Sequence, residues 1–285
     1  SQVNALEVAD VAKLTTAQVV ALTTGQVSKL DADRLGALTT SQVQALNTAQ
    51  VKALTTLQMT SLTTDQVKAL TSAQSPVLTA AQINALGVDQ VAALSTDVVS
   101  TLSTAQVSGL SKDVVQSLTS SQVMKLGTSQ IQAMSSAQIN ALETEDLAQL
   151  QNSQLVALST DQIRNLSTDL VTSLTTSQVS VLSAAQITAL TGSQFGKMTT
   201  DQIKALTAAQ AKVLSSDQIN GLDATQVAAL ETDDLASINA AQVSGFSTDV
   251  IKEFNIKGDA FSEFKGGLSS ALRAGLEEGL DATKY

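Results

Sequence analysis

Polar and apolar residues recur along this chain in blocks of eight. From position 7 to position 254 the sequence divides, without insertion or deletion, into 31 octads with the consensus [S/T]-x-x-Q-[V/I]-x-A-L. The segment 14–22, L-T-T-A-Q-V-V-A-L, shows the pattern clearly. When each octad is numbered from its Ser or Thr, the main apolar residues stand at positions 5 and 8, and Gln occupies position 4 in 23 octads. A strict period of this kind indicates a repeat architecture.

Each octad carries the signals of a helix start. A Ser or Thr followed three residues later by Gln is a capping box, in which the hydroxyl and the Gln side chain each bind a backbone amide at the helix start. The apolar residue before the cap and the one four residues after it, such as Leu38 and Val43, form the hydrophobic staple that accompanies this box. The same combination persists where Met198 replaces the usual Leu. The pattern therefore predicts one short helix per octad.

The octads that lack Gln keep other features of a helix start. Some have an apolar residue at position 4 and an Asp at position 3, where a negative charge in the first helical turn is favourable. In others an Asp takes the Gln position directly. The first group has Val98, Val114, Leu170 and Val250 after Asp97, Asp113, Asp169 and Asp249, and the second has Asp10, Asp146 and Asp234.

Two other folds are inconsistent with a period of eight. In one long helix the Leu stripe would rotate by about 80° per octad, so that no lasting apolar face would form. In a β-solenoid positions 5 and 8 would point to opposite faces, and Ala, Gln and Leu favour helix. We therefore predict an all-α solenoid of very short capped helices, with positions 5 and 8 inside. Position 6 is variable, as in Lys52, Gln132 and Arg164, and should face outward. The number of octads in one turn is left open.

One octad departs from the pattern in its interior. In octad 71–78, T-S-A-Q-S-P-V-L, Ser75 replaces the apolar residue and Pro76, the one proline of the chain, removes an amide donor. We expect a local kink or irregularity there.

The end of the chain has a different pattern. The octad array is predicted to form one domain, 1–254, and residues 255–285 a linker followed by an amphipathic helix at about 260–281, because apolar residues return there at three- and four-residue spacing. This helix would cap the open end of the solenoid or dock onto a partner or a second subunit. The candidate contact residues are Phe246, Phe254, Phe261, Phe264, Leu268, Leu272, Leu276 and Leu280.

Charge and composition narrow the choice of partners. The net charge is −10, the isoelectric point is near 4.4 and the 16 basic residues are scattered, which argues against nucleic acid. No apolar run approaches the ~20 residues of a membrane span. The sequence starts in mid-octad, so we expect a processed chain or a piece of a larger parent protein, with head-to-tail self-association as the other possibility.

Little in the sequence suggests catalysis. Without His or Cys the usual base and nucleophile pairs cannot be built, and we expect no enzyme activity. Segment 192–199, G-S-Q-F-G-K-M-T, superficially resembles a phosphate-binding loop, but it has the wrong spacing and no Ser or Thr after the Lys. We expect no cofactor. Calcium is a lesser alternative, because acidic residues cluster at Asp31 and Asp33, at Glu143, Glu145 and Asp146, and at Glu231, Asp233 and Asp234.

The sequence resembles two known kinds of repeat. Segment 14–22 resembles the helix start of TAL-effector DNA-binding repeats, over one short helix only. Thr16 stands where those repeats have Pro, the period is far shorter and the base-reading loop is missing, so DNA recognition does not carry over. The octad array as a whole resembles Thr/Gln/Leu-rich octad tracts of large bacterial secreted or surface proteins. That likeness implies an extracellular stalk, adhesin or filament.

These observations lead to one principal functional hypothesis. We expect a non-enzymatic structural protein, a rod or filament subunit of the cell surface, which is extracellular and bacterial by resemblance. The alternative is a repeat scaffold that binds a protein or glycan through its outward position 6 side chains. Rows of Thr and Ser at positions 1 and 2 leave an ice-binding solenoid as a minor alternative.

Overall fold

The computed structural model describes residues 2–230 and, beyond them, residues 237, 238, 242 and 247. Its contacts divide the chain into two compact units, with the boundary between Leu150 and Gln151. All regular elements in the described residues are helices, and these residues contain no strand.

In unit 1, which covers residues up to Leu150, one short helix follows another. Two 3-10 helices, Gln2–Ala5 and Ser75–Val77, accompany seventeen α-helices. The α-helices, α1 to α17, are Val8–Val11, Thr16–Val20, Thr24–Val27, Ala32–Gly36, Thr40–Ala45, Thr48–Lys52, Thr56–Ser61, Thr64–Lys68, Ala80–Asn84, Val88–Ala93, Thr96–Ser100, Thr104–Ser108, Lys112–Gln116, Ser120–Val123, Thr128–Ala133, Ser136–Ile139 and Thr144–Gln149.

Unit 2, from Gln151 onward, has the same construction in its described part. Helices α18 to α27 are Asn152–Ala157, Thr160–Arg164, Thr168–Ser173, Thr176–Val181, Ala184–Ala189, Gly192–Phe195, Thr200–Lys204, Ala208–Ala211, Ser216–Asn220 and Ala224–Ala229. The prediction of an all-α solenoid with one short helix per octad is confirmed in both units.

The helices begin where the capping boxes predict. At α2, the Gln18 backbone N–H donates to Thr15 Oγ1 (3.2 Å), and the Thr15 backbone N–H donates to Gln18 Oε1 (2.8 Å). The cap residue itself is extended, with φ −70° and ψ 156°, which turns the chain before the next helix. Helices of four to six residues are too short to persist in isolation, so they depend on contacts with other octads.

Burial follows the octad position. In octad 39–46, positions 4, 5 and 8 (Gln42, Val43 and Leu46) are buried, whereas positions 1, 2, 3 and 6 are exposed. The interior is therefore a stack of Val or Ile from position 5 and Leu from position 8. The predicted outward position 6 is confirmed at Lys52, Gln132 and Arg164, which are exposed.

The structure supplies the number of octads per turn that the sequence left open. Each helix packs against the helix three octads further along, as α2 does with α5 in unit 1 and α23 with α26 in unit 2. Hydrogen bonds from position 4 side chains span 28 and 31 residues, which leads into the octad four places earlier. One turn therefore takes between three and four octads.

In unit 2 the backbones of α23 and α26 approach closely through glycine. A Cβ on Gly192 would overlap the Asp217 carbonyl, and a Cβ on Gly196 would overlap the Gly221 carbonyl. Phe195, between Gly192 and Gly196, is completely buried. The glycines of segment 192–199 thus serve helix packing, which agrees with our rejection of a phosphate-binding loop.

The expected irregularity at Pro76 is present. Octad 71–78 has no α-helix, and a 3-10 helix at Ser75–Val77 takes its place. Ser75 occupies the interior position 5 and is completely buried. Its hydroxyl makes a hydrogen bond with the hydroxyl of Thr101, in an octad further along the chain. The polar group in the core is therefore paired.

The predicted linker and helix of residues 255–285 lie outside the described residues. The boundary at position 254 accordingly stays a prediction.

Replacing an interior residue should destabilise unit 1 far more than replacing its outward neighbour. Ile131 fills a fully buried position 5, and Gln132 beside it is exposed at position 6. We expect Ile131→Ala to lower the free energy of unfolding by about 2–4 kcal/mol. Gln132→Ala should change it by less than about 0.5 kcal/mol. Urea unfolding followed by circular dichroism measures both, and equal losses would contradict the assigned interior.

Candidate functional site

The glutamine at position 4 has two roles, of which the capping box is the first. Its Oε1 atom accepts the backbone N–H of its own cap residue, as in the bond from Thr55 N to Gln58 Oε1 at 2.9 Å. The same bond is 2.7 Å from Ser159 N to Gln162 Oε1 and 3.0 Å from Ser183 N to Gln186 Oε1. The oxygen end of the side chain therefore fixes the start of its own helix.

The second role belongs to the nitrogen end of the same side chain. Gln58 Nε2 donates to the carbonyl of Val27 at 2.8 Å and to that of Leu30 at 2.8 Å. These carbonyls belong to positions 5 and 8 of the octad four places earlier. One glutamine thus joins a helix start to the preceding turn, and we call this arrangement the glutamine bridge.

The glutamine bridge recurs in both units. Every donor that forms it is at least nine-tenths buried, so the paired amide avoids the free-energy cost of burying an unbonded polar group. In unit 1 the bridging residues are Gln42, Gln50, Gln58, Gln66, Gln74, Gln82, Gln90, Gln106, Gln122, Gln130 and Gln138. In the described part of unit 2 they include Gln186, Gln194, Gln202, Gln210, Gln218, Gln226 and Gln242.

Arginine takes over part of the bridge near the start of unit 1. Arg34 occupies position 4 of its octad, and its Nε donates to the carbonyl of Leu6 in the preceding turn at 2.8 Å. Its guanidinium also pairs with Asp31, the cap of the same helix, at 2.6 Å. Gln18 and Gln26 form their caps, but their side-chain nitrogens make no bond to another turn within the described residues.

Where position 4 is apolar, an asparagine from another octad can accept the cap N–H in place of glutamine. The octad of Val114 has no Gln, and the N–H of its cap, Ser111, donates instead to Asn84 Oδ1 at 2.8 Å, across 27 residues. Asn84 Nδ2 donates to the carbonyl of Gly109 at 2.9 Å. Asn84 occupies the outward position 6 of its octad, and we call this pair of bonds the asparagine bridge. It ties the same two turns together from the outside.

The acceptor half of this arrangement recurs in unit 2. Ser247 begins the octad of Val250, and its N–H donates to Asn220 Oδ1 at 2.7 Å, again across 27 residues.

Asp146 shows a third arrangement. The residue is 3% exposed, and its carboxylate accepts the Ser120 hydroxyl at 2.6 Å and the Glu143 backbone N–H at 3.3 Å. An ionised Asp has no hydrogen to donate, so it forms the cap but cannot bind carbonyls of the preceding turn. Ser120, on α14, supplies a link between turns in place of that donation.

Octad 95–102, in the interior of unit 1, has neither a glutamine bridge nor an asparagine bridge. Val98 occupies position 4 of octad 95–102 and offers no donor to the carbonyls of Val67 and Leu70. Lys68 stands in the same relation to the cap Ser95 as Asn84 does to Ser111. A lysine ammonium cannot accept a hydrogen bond, so it cannot replace the asparagine. Within the described residues the Ser95 N–H has no acceptor.

An open groove lies beside this octad in unit 1. Its volume is about 490 Å³, and its lining includes Asp65 and Lys68 from α8, Ser95 and Thr96 at the start of α11, and Thr119. The lining has one charge of each sign and several hydroxyls, which defines no single ligand.

Two of the acidic residues that suggested calcium, Asp31 and Asp146, have structural roles. Asp31 caps α4 and pairs with Arg34, and Asp146 is buried against Ser120. No group of three or more Asp, Glu, His or Cys side chains among the described residues could hold a metal ion. The third cluster, at Glu231, Asp233 and Asp234, lies outside the described residues.

Asp223, the cap of α27, has a lowered pKa. Its carboxylate accepts the Thr225 hydroxyl at 2.7 Å and the Gln226 backbone N–H at 2.8 Å, and these bonds lower its pKa below the ordinary value. Because the pKa of Asp223 is lower in the folded state than in the unfolded state, this cap stabilises the fold at any pH above the unfolded-state pKa. That contribution disappears as the pH falls through the folded value.

The structure brings together a different set of residues from the predicted contact set. All of the predicted contact residues, from Phe246 to Leu280, lie outside the described residues, so that surface stays a prediction. The bridges were missed, although the sequence contains a signal for one of them. Asn84, Asn140 and Asn220 each stand 27 residues before a Ser cap whose octad has Val or Leu at position 4.

These features define an α-helical repeat protein whose short capped helices are joined from turn to turn by buried side-chain amides. None of its described helices has the length and apolar character needed to cross a membrane. The family model described as the ALTTAQ repeat matches residues 2–40, 29–64, 43–80, 64–96, 139–176 and 195–230, together more than half of the chain. The chain therefore belongs to the ALTTAQ repeat family. No curated protein matches it.

Removing one glutamine bridge should cost more than removing one capping box. Gln58→Leu removes the acceptor of the Thr55 N–H and the side-chain donor to the Val27 and Leu30 carbonyls. We expect it to lower the free energy of unfolding by about 2–4 kcal/mol. Gln18→Leu removes the same cap but no bond to another turn, so it should cost at most about 1 kcal/mol. Chemical unfolding tests the pair, and equal losses would show that the bonds between turns contribute nothing.

The asparagine bridge predicts a cost at an exposed position. In Asn84→Leu the Ser111 N–H and the Gly109 carbonyl lose their partner. We expect the free energy of unfolding to fall by about 1 kcal/mol or more. Gln44→Leu is the matched control, since the corresponding cap, Thr71, already donates to Gln74. Thermal unfolding should distinguish the two variants, and a neutral Asn84→Leu would refute the bridge.

Proposed function

We propose that this chain is a non-enzymatic structural protein, a subunit of an extracellular rod or filament at the cell surface. The observation that carries the proposal is the repetition of the glutamine bridge with one geometry in both units. In the described residues, the most regular set of buried hydrogen bonds joins one turn to the next. A protein selected for this property is suited to span distance and bear load.

The stacking scheme supports extension by repetition. Each octad contacts octads three and four places away, so a further octad would add one helix, one bridge and one apolar pair of the same kind. In such repeat arrays stability is approximately a sum of local terms and contacts between neighbours. Length can therefore change without redesign of the core.

Head-to-tail association is the proposed mode of assembly. Gln18 and Gln26 form their caps, while their side-chain nitrogens stand where other glutamines donate to a preceding turn. A second copy, or preceding octads of a larger parent chain, would supply the carbonyl partners. A contact of this kind joins different surfaces of two subunits and leads to open filaments. The extracellular and bacterial setting rests on the resemblance of the octad array alone.

A binding scaffold is the second candidate. Leu57 and Val88 are 75% and 67% exposed on the outside of unit 1, where they are available to a partner. Variable position 6 residues would add selectivity for a protein or glycan partner.

Electron microscopy and light scattering of the full chain test the proposal. We expect uniform fibres whose amount rises with protein concentration and whose circular dichroism stays α-helical. The double variant Gln18→Leu with Gln26→Leu should lose the fibres, because the donors between subunits are gone, yet remain folded.

Two controls make the outcome specific. Gln44→Leu with Gln132→Leu changes two exposed outward positions and should keep the fibres. Leu57→Ser with Val88→Thr removes both exposed apolar side chains and should also keep the fibres. Monodisperse particles of the unaltered chain at every concentration would overturn the filament proposal and favour the scaffold.

A further inference from the structure

Three independent features meet at one place in unit 1, between octad 95–102 and the octads 63–70 and 71–78 of the preceding turn. We call this boundary the seam. The first feature is the missing glutamine bridge. Val98 gives the Val67 and Leu70 carbonyls no donor, whereas the octads before and after it, 87–94 and 103–110, are bridged by Gln90 and Gln106.

The second feature is the missing substitute. At Val114 an asparagine bridge takes over, and at Asp146 the Ser120 hydroxyl does so. At the seam Lys68 occupies the asparagine position, and the Ser95 N–H has no acceptor in the described part of the chain. Lys68 and Ser95 instead line the open groove of about 490 Å³.

The third feature is the irregular octad in the preceding turn. Octad 71–78 contains Pro76 and the 3-10 helix in place of an α-helix. Its link to octad 95–102 is the hydrogen bond between the hydroxyls of Ser75 and Thr101. A glutamine bridge provides two bonds to carbonyls and the cap acceptor, so the seam is held by fewer polar contacts than its neighbours.

We propose that the seam is a built-in release point, at which octad 95–102 separates from the preceding turn while the rest of unit 1 stays folded. Octad 95–102 remains attached to the following turn, because Gln130 donates to the carbonyls of Val99 and Leu102 at 3.0 and 2.7 Å. Opening of the seam therefore exposes only the side of α11 that faces the preceding turn. Under load or heat the chain would yield here before the bridged turns part. The inference rests on contacts within unit 1 and holds whether or not the protein forms filaments.

Hydrogen–deuterium exchange of the full chain, read by mass spectrometry, tests this inference. Helices α11 and α12 both have five residues, but only α12 is bridged, by Gln106. We expect the amides of α11 to exchange at least about tenfold faster than those of α12, as expected for an element that opens locally. Equal exchange in the two helices would overturn the proposal.

Two variants should close the seam. Val98→Gln places the missing donor beside the Val67 and Leu70 carbonyls and gives the Ser95 N–H an acceptor, and it should slow exchange in α11 to the level of α12. Lys68→Asn installs an asparagine bridge to Ser95 and should slow exchange to a smaller extent.

A matched substitution controls for the new asparagine. Lys52→Asn should change nothing, because the corresponding cap, Thr79, already donates to Gln82 at 2.7 Å. Faster exchange in α11 that neither Val98→Gln nor Lys68→Asn slows would show that the missing bridges are not its cause, which would also overturn the proposal.

Discussion

The architecture of both units depends on a buried glutamine side chain that is used at both ends. Its oxygen accepts the N–H of its own helix cap, and its nitrogen donates to two carbonyls of the preceding turn, as Gln210 does to Val179 and Leu182 at 2.8 Å each. Helices of four to six residues have too few internal hydrogen bonds to be stable alone. The same amide that starts each helix also fixes it to its neighbour, which makes local and long-range order interdependent.

The chemistry of the amide explains why glutamine is preferred at this position. The bridge needs one acceptor and two donors at the end of a side chain long enough to cross between turns, and few other side chains provide them. A glutamate would present an acceptor to carbonyls that need donors, and an asparagine is one methylene shorter. Arg34 meets the donor requirement, and it reaches Leu6. Asp146 meets only the acceptor requirement, and a serine from another helix then supplies the link between turns.

Much of the fold could be predicted from the sequence because its signals are local. The Thr15 and Gln18 pattern, the apolar residues at positions 5 and 8 and the proline at position 76 act within one octad, and each had the expected consequence. The second role of glutamine could not be predicted in the same way. It depends on which carbonyl lies opposite Nε2, and hence on the number of octads per turn, which a period of eight does not determine. The spacing between Asn84 and Ser111 likewise becomes meaningful only once the turn is known. The predicted contact surface around Phe254 and Leu272 concerns binding to a partner or a second subunit. The octad pattern contains no information about such binding.

The protection of glutamine side-chain amides from solvent shows directly whether the glutamine bridges hold the turns together. Exchange of the Nε2 hydrogens with water can be measured for individual side chains by nuclear magnetic resonance on nitrogen-15-labelled protein. We expect bridging residues such as Gln58 and Gln210 to exchange at least about tenfold more slowly than the exposed Gln44 and Gln132. Gln18 and Gln26 should lie near the fast group in the unassembled protein. Uniformly fast exchange at all of these residues would show that the glutamine bridges do not hold the turns together.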